Sequence, residues 1–175
     1  MFIELRKGML LYPGTFNAII APENVLVSAI KSNPDLQRFL FLYISGNYSR
    51  ILTSIGRVDK NFEICRAFTA QQLFTILQNA SHTVIFLEHD PTLFDGAEQM
   101  LPQIAGMLKD AGRESLVILY SPSMDRAFSS LMRKADHIIE IAFNDEGLRR
   151  PPGHGTSQRW KQGCRSPQQR TLEVT

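Results

Sequence analysis

TVIFLEHDPTLF, residues 83–94, decides the fold. An apolar run, Thr83 to Leu87, passes directly into Glu88, His89 and Asp90 and then meets Pro91. A buried strand that ends in a carboxylate delivers acid chemistry to the carboxyl edge of a parallel α/β sheet, where ligands bind. Working outward, the same signature recurs in FNAIIA (16–21), FLFLYIS (39–45), LVILY (116–120) and HIIEIA (137–142). Their apolarity is continuous, which requires burial on both faces.

Helical periodicity fills the gaps between these runs. Val25, Leu26, Ala29 and Ile30 share one face of a helix over Pro22–Lys31, with Pro22 in the first turn, where its missing N–H costs nothing. Tyr48–Ile55 reads as a weak helix closed by Gly56. Thr69 is placed to cap a helix over Ala70–Asn79. Glu98–Ala111 follows, stopped by Gly112, with Pro102 in its first turn or at a kink, and Asp125–Lys134 is the last helix. The alternation predicts an α/β fold: an open, mainly parallel five-stranded sheet with helices on both faces and right-handed crossovers, in three layers α/β/α.

At 175 residues and 43% hydrophobic content, the chain can bury one substantial core, assigned to residues 1–143. Phe39, Phe41 and Phe68 are read as part of that core. No apolar run approaches the roughly 18–20 residues of a membrane span. MFIELRKGMLLYPG places its basic pair after an apolar start and lacks a small-residue cleavage site, unlike a secretory signal. Cys65 and Cys164 have no metal or redox spacing. Two reduced thiols, with Cys65 in the core, make the expected location cytoplasmic and away from membranes.

From Asn144 the periodicity fails, and residues 144–175 become rich in Pro, Gly, Gln and Arg, the composition of disorder or an adaptable arm. Thr171–Val174 alternates well enough for a short edge strand. Arg149, Arg150, Arg159, Lys161, Arg165 and Arg170 against Glu173 give residues 149–175 a charge of +5, leaving −3 for residues 1–148. An acidic body directs any nucleic-acid contact to the tail, where those six cations and Trp160 could grip phosphates and stack one base. A solvated linker or an arm docking on a neighbour is the simpler use.

In element order the chain resembles the RecA-like ATPases of the RadA and KaiC type over roughly residues 8–142. LLYPGTFNAIIAPENVLVSAI (10–30) is similar to the strand that feeds their Walker A loop, and TVIFLEHDPTLF to their Walker B strand, with Glu88 where an aspartate usually stands. EICRAFTAQQLFTIL (63–77) resembles the helix before that strand, and ADHIIEI (135–141) the near-terminal strand. The resemblance implies a nucleotide fold, Glu88 at the Walker B acid, Ser121 as a polar sensor of the γ-phosphate, and an oligomeric habit; from the residues themselves, Glu88, His89 and Asp90 are candidates for a magnesium or general acid/base cluster.

The departures are as informative. The Walker A position holds Ala21, Pro22, Glu23, Asn24 and Val25, with no lysine for the phosphates and no Ser or Thr for magnesium. Pro22 removes an amide from the nest that would cradle phosphate. Glu23 adds repulsion, about 4 kcal/mol for unit charges about 4 Å apart at an effective dielectric near 20. The single helix after the Walker B-like strand leaves little room for inserted DNA-binding loops. Asp90-Pro91 and Ser121-Pro122 are also ordinary turn chemistry. His82 and His89 stand at opposite ends of one strand, too far apart to share a metal. The expectation is therefore a RecA-like pseudo-ATPase without cofactor, ATP and magnesium being disfavoured. It would serve in assembly or regulation, through self-association or a protein partner, or as an accessory factor in DNA repair and recombination. The alternative is a divergent ATPase that uses Glu88 for magnesium and borrows a basic residue from a partner.

Overall fold

A computed structural model of the protein describes residues 3–6, 9–33, 36, 38–55 and 60–141. The tail readings, from the cations of 149–170 to the strand at 171–174, lie outside these residues, as does Gly56. Within them a short antiparallel hairpin, β1 (Ile3–Arg6) and β2 (Met9–Leu11), precedes an alternation of strands and helices. The strands are β3 (Thr15–Ile20), β4 (Phe41–Ser45), β5 (Phe62–Arg66), β6 (Val84–Glu88), β7 (Leu116–Ser121) and β8 (His137–Glu140). They form one sheet in the order β5-β4-β6-β7-β3-β8, and every pairing is parallel. The helices are α1 (Glu23–Ser32), α2 (Leu52–Ile55), α3 (Ala70–Asn79), α4 (Leu101–Ala111) and α5 (Arg126–Leu131).

Successive side chains on each strand point to opposite faces, so each continuous apolar run feeds two cores. On one face Ile19, Tyr43, Phe86, Ile118 and Tyr120 pack with α1, Ile51 and the hairpin residues Ile3 and Leu11. On the other, Ala18, Leu42, Leu87 and Leu119 pack with Leu73 and Leu77 of α3, Ile104 and Leu108 of α4, and Phe128 of α5. This is a three-layer α/β/α architecture. Caps fix several helix starts: Thr69 accepts the Gln72 N–H at 3.2 Å, and Asp125 accepts the Phe128 N–H at 2.7 Å. Pro102 sits in the first turn of α4, whose lead-in Glu98–Met100 is a 3₁₀ turn.

Three expectations change. The sheet has six strands, not five, because residues 62–66 form β5, where the sequence suggested the start of a helix. As an edge strand, β5 buries only part of its surface, so its apolar residues alternate with Glu63 and Arg66 and carry no continuous run. Cys65 accordingly is half-buried on this strand, beside Glu63, and burial followed by that carboxylate pushes its thiol pKa up. Phe68, expected in the core, is 55% exposed at the end of β5.

Candidate functional site

At the carboxyl edge, neighbouring strands send their connections to opposite faces, the arrangement that opens a crevice in parallel sheets. β4 leads to α2 on the α1 side, while the adjacent β6 leads to α4 on the other. β3 and β7 diverge in the same way, toward α1 and α5. The two crevices have different contents.

The crevice between β4 and β6 is filled by its own acids. Glu88 is 2% exposed and closes β6. Its Oε2 accepts the Tyr43 hydroxyl and, at 2.7 Å, the Ser49 hydroxyl, while Oε1 accepts the Arg50 N–H at 2.7 Å. Ser49 in turn accepts the Leu52 N–H at 3.1 Å, starting α2. Glu88 thus clamps the segment after β4 to the end of β6. Asp90 does the same from the next turn: Oδ2 accepts the Asn47 N–H at 2.8 Å, and Oδ1 accepts the Thr92 N–H at 3.0 Å and its hydroxyl at 2.7 Å. A Cβ on Gly46 would collide with the Asp90 carboxylate, so only glycine admits this side chain. Burial pushes the Asp90 pKa up, but the Thr92 side chain and the Thr92, Asn47 and Tyr48 amides outweigh it and leave it lowered.

His89 turns away from Glu88. Its side chain is 1% exposed, its Nε2 lies 2.6 Å from Asp125 Oδ2, and its ring packs between Phe94 and the edge of Phe128. Nδ1 is buried with no partner among the described residues. Burial holds its pKa below the ordinary imidazole value, against the opposing pull of Asp125 and Asp90. His82 stands at the other end of the strand, 3.0 Å from Glu63. Among the described residues no group of His, Cys, Asp and Glu is arranged to hold a metal. The Ser121 hydroxyl donates to the Ser123 carbonyl at 2.6 Å and is spent within its own turn.

The crevice between β3 and β7 holds the loop Ala21–Val25. A cleft of about 560 Å³ opens here, lined by Ala21, Pro22, Glu23, Asn24, Pro122 and Glu140, with Ile20 and Ile141. Its described lining contains two carboxylates and no cation. The Ala21 N–H donates to Ser121 O at 3.3 Å and the Val25 N–H to Pro22 O at 3.1 Å, so these amides are engaged and Pro22 has none. Glu23 faces Arg50 at 3.7 Å in an exposed pair. Beneath, the Tyr120 hydroxyl is buried without a described partner, and burial, then Glu23 and Glu88, raises its pKa.

A second groove of about 500 Å³ runs between α4 and α5, bordered by Phe94, Asp125, Arg126, Arg133 and Lys134. Sequence reading singled out Glu88, Asp90 and Ser121 but missed Tyr43, Asp125 and Glu140. Asp125 had a legible signal, an acid directly before a helical pattern. Tyr43 gave none, because its ring reads as core and its hydroxyl works only in the fold.

These groups predict a pH dependence of one sign. Asp90 is shifted down, as is Asp136, where burial is outweighed by Lys109, the Phe16 amide and His137. Their stabilising contribution is present above the ordinary carboxylate value of 3.8 and is lost as pH falls through their folded values. Burial holds the His89 pKa below 6.5 in the fold, so its contribution is complete above 6.5 and starts to fade as pH drops below that value. Urea midpoints should be flat above neutrality, decline gently below it, and fall steeply in acid. In His89→Gln the gentle limb should disappear; its persistence would assign that limb elsewhere.

No family model matches the chain. It is similar to a protein of Archaeoglobus fulgidus described as uncharacterized, with 36% identity over 135 residues, taking in 77% of this chain and 68% of the relative. No described helix is long and apolar enough to cross a membrane. With that identity over that share of both proteins, the chain belongs to the family of this archaeal protein.

Proposed function

We propose that this protein is a non-catalytic, RecA-like pseudo-ATPase that serves as an assembly or regulatory domain in the cytoplasm. The observation that carries the reading is the state of the Walker B-like acid. Glu88 sits at the carboxyl end of a central strand, yet both oxygens accept hydrogen bonds from Tyr43, Ser49 and the Arg50 amide. An acid committed to three protein donors in a buried place has little capacity left for a cation. The loop opposite supports the same reading: its described lining holds Glu23 and Glu140 and no lysine or arginine, Pro22 offers no amide, and a polyphosphate there would meet like charge. The scaffold then acts through surfaces, with self-association or a protein partner as its work. DNA would be met, if at all, by the cations of residues 149–170.

Isothermal titration of the full chain with magnesium-ATP should give no binding heat at millimolar nucleotide. Micromolar affinity with turnover would overturn the reading. Turnover that appears only with a partner and is lost in Glu88→Gln would establish the divergent-ATPase alternative.

A further inference from the structure

At one edge the sheet ends in β5, which pairs with β4 alone among the described residues. Just before and just after β5, the Asn61 carbonyl accepts from the Phe41 amide and the Ala67 amide donates to the Ser45 carbonyl. With the parallel register Phe41↔Phe62 to Ser45↔Arg66, this turns the backbone of odd-numbered residues toward β4. The N–H and C=O groups of Phe62, Ile64 and Arg66 therefore face outward, and no backbone bond among the described residues uses them. Natural edges are blunted by charges, prolines, bulges, short strands or covering elements. β5 has neither proline nor register shift; its guards are the exposed charges Glu63 and Arg66, with Ile64 exposed between them. Among the described residues, four of the six exposed large hydrophobics, Leu40, Tyr48, Ile64 and Phe68, lie on or beside β4 and β5.

We propose that β5 pairs antiparallel with β5 of a second copy about a two-fold axis through Ile64, joining two sheets into one. The inference deepens the assembly role above and rests on that reading for its purpose, though not for its geometry. A two-fold axis perpendicular to the sheet keeps matching faces together, so residues on the same face must stand opposite one another. Centring on Ile64 sets Ile64 against its own copy and Phe62 against Arg66 of the second copy, all with outward-facing backbones, as hydrogen-bonded antiparallel pairs require. Arg66 then lies beside an aromatic ring, a favourable cation–π pairing repeated by symmetry. Moving the axis to Glu63 or to Arg66 opposes like charges directly, which is destabilising. Centring on Cys65 sets Arg66 against Ile64 and forfeits the pairing with Phe62.

Sedimentation velocity of the full chain tests the proposal. The expected species has twice the 19.8 kDa chain mass. Ile64→Pro removes only an outward N–H, the tolerated place for proline in a sheet, and Ile64→Lys opposes two cations at the axis. Both should sediment as monomers while keeping the native circular dichroism spectrum. Ile64→Cys in a Cys65→Ser, Cys164→Ser background should oxidise to a covalent dimer, because opposed Cα atoms about 5.5 Å apart lie within disulfide reach. A wild-type monomer at high micromolar concentration would overturn the inference. So would a dimer that survives both substitutions, a larger species, or a failure of the Ile64→Cys variant to cross-link. A monomer that ignores magnesium-ATP would refute this pairing and leave the pseudo-ATPase reading standing; a β5-paired dimer that hydrolyses ATP would do the reverse.

Discussion

Glu88→Ala is expected to lower unfolding free energy by about 2–4 kcal/mol, because several hydrogen bonds to one buried carboxylate are lost at once. The carboxylate leaves three donors behind: the Tyr43 and Ser49 hydroxyls, which lie 3.1 Å apart and can still bond one another, and the Arg50 amide. A hydroxyl left buried and unsatisfied costs about 1–3 kcal/mol, whereas the amide of the exposed Arg50 can turn to water. The Tyr43 phenol cannot escape by ionising, since burial, the largest cause of its raised pKa, remains after the Glu88 charge is gone. Glu88→Gln keeps the volume and an accepting oxygen but points an amide at one donor set, so about half the loss is expected. Urea unfolding should show both shifts with little change in m. A loss below about 1 kcal/mol in Glu88→Ala would mean that the clamp is not a stabilising element, and the acid would be open again to a catalytic interpretation.

Phe86→Ala should be comparably damaging, at about 3–5 kcal/mol, for a wholly different reason. Phe86 is fully buried at the centre of β6, and its ring stacks on Tyr43 at 5.3 Å and Phe41 at 6.3 Å and lies 6.0 Å from Tyr120. Phe62 of β5 continues the row, stacked on Phe41 at 4.6 Å. This aromatic row crosses four strands on the α1 face, so truncation at its middle leaves a cavity that neighbours tied to three other strands cannot collapse into. Phe86→Leu should recover more than half of the loss. If Phe86→Ala costs less than about 2 kcal/mol, the row is plastic and the β5 end of the sheet is not rigidly coupled to the centre.

How much of this was readable from residues follows from burial. Runs buried on both faces, such as Phe16 to Ile20, Leu116 to Tyr120 and Val84 to Leu87, announce themselves because every position must be apolar. The helix over Ala70–Asn79 was legible to its ends, since Thr69 supplies a cap and one face an apolar stripe. β5 was not, because an edge strand partners on one side and its sequence can afford Glu63 and Arg66. The hairpin β1–β2 was missed because strands of three or four residues are too short to show a period.

The residues alone specified the three-layer α/β frame, the acid at the end of β6, and a first-strand loop lacking the lysine and glycines that hold phosphate. These are local properties, fixed by which side chains are apolar and which backbone groups a loop can offer. Strand order, and therefore everything made by neighbours distant in sequence, was settled by folding. Placing β4 beside β6 brings Tyr43, Ser49 and Arg50 to Glu88, and Asn47 to Asp90, across 38 to 45 residues of chain. No pattern along the chain encodes those pairs, because a hydrogen bond depends on distance in space, and that distance exists only once the parallel sheet has closed the crevice.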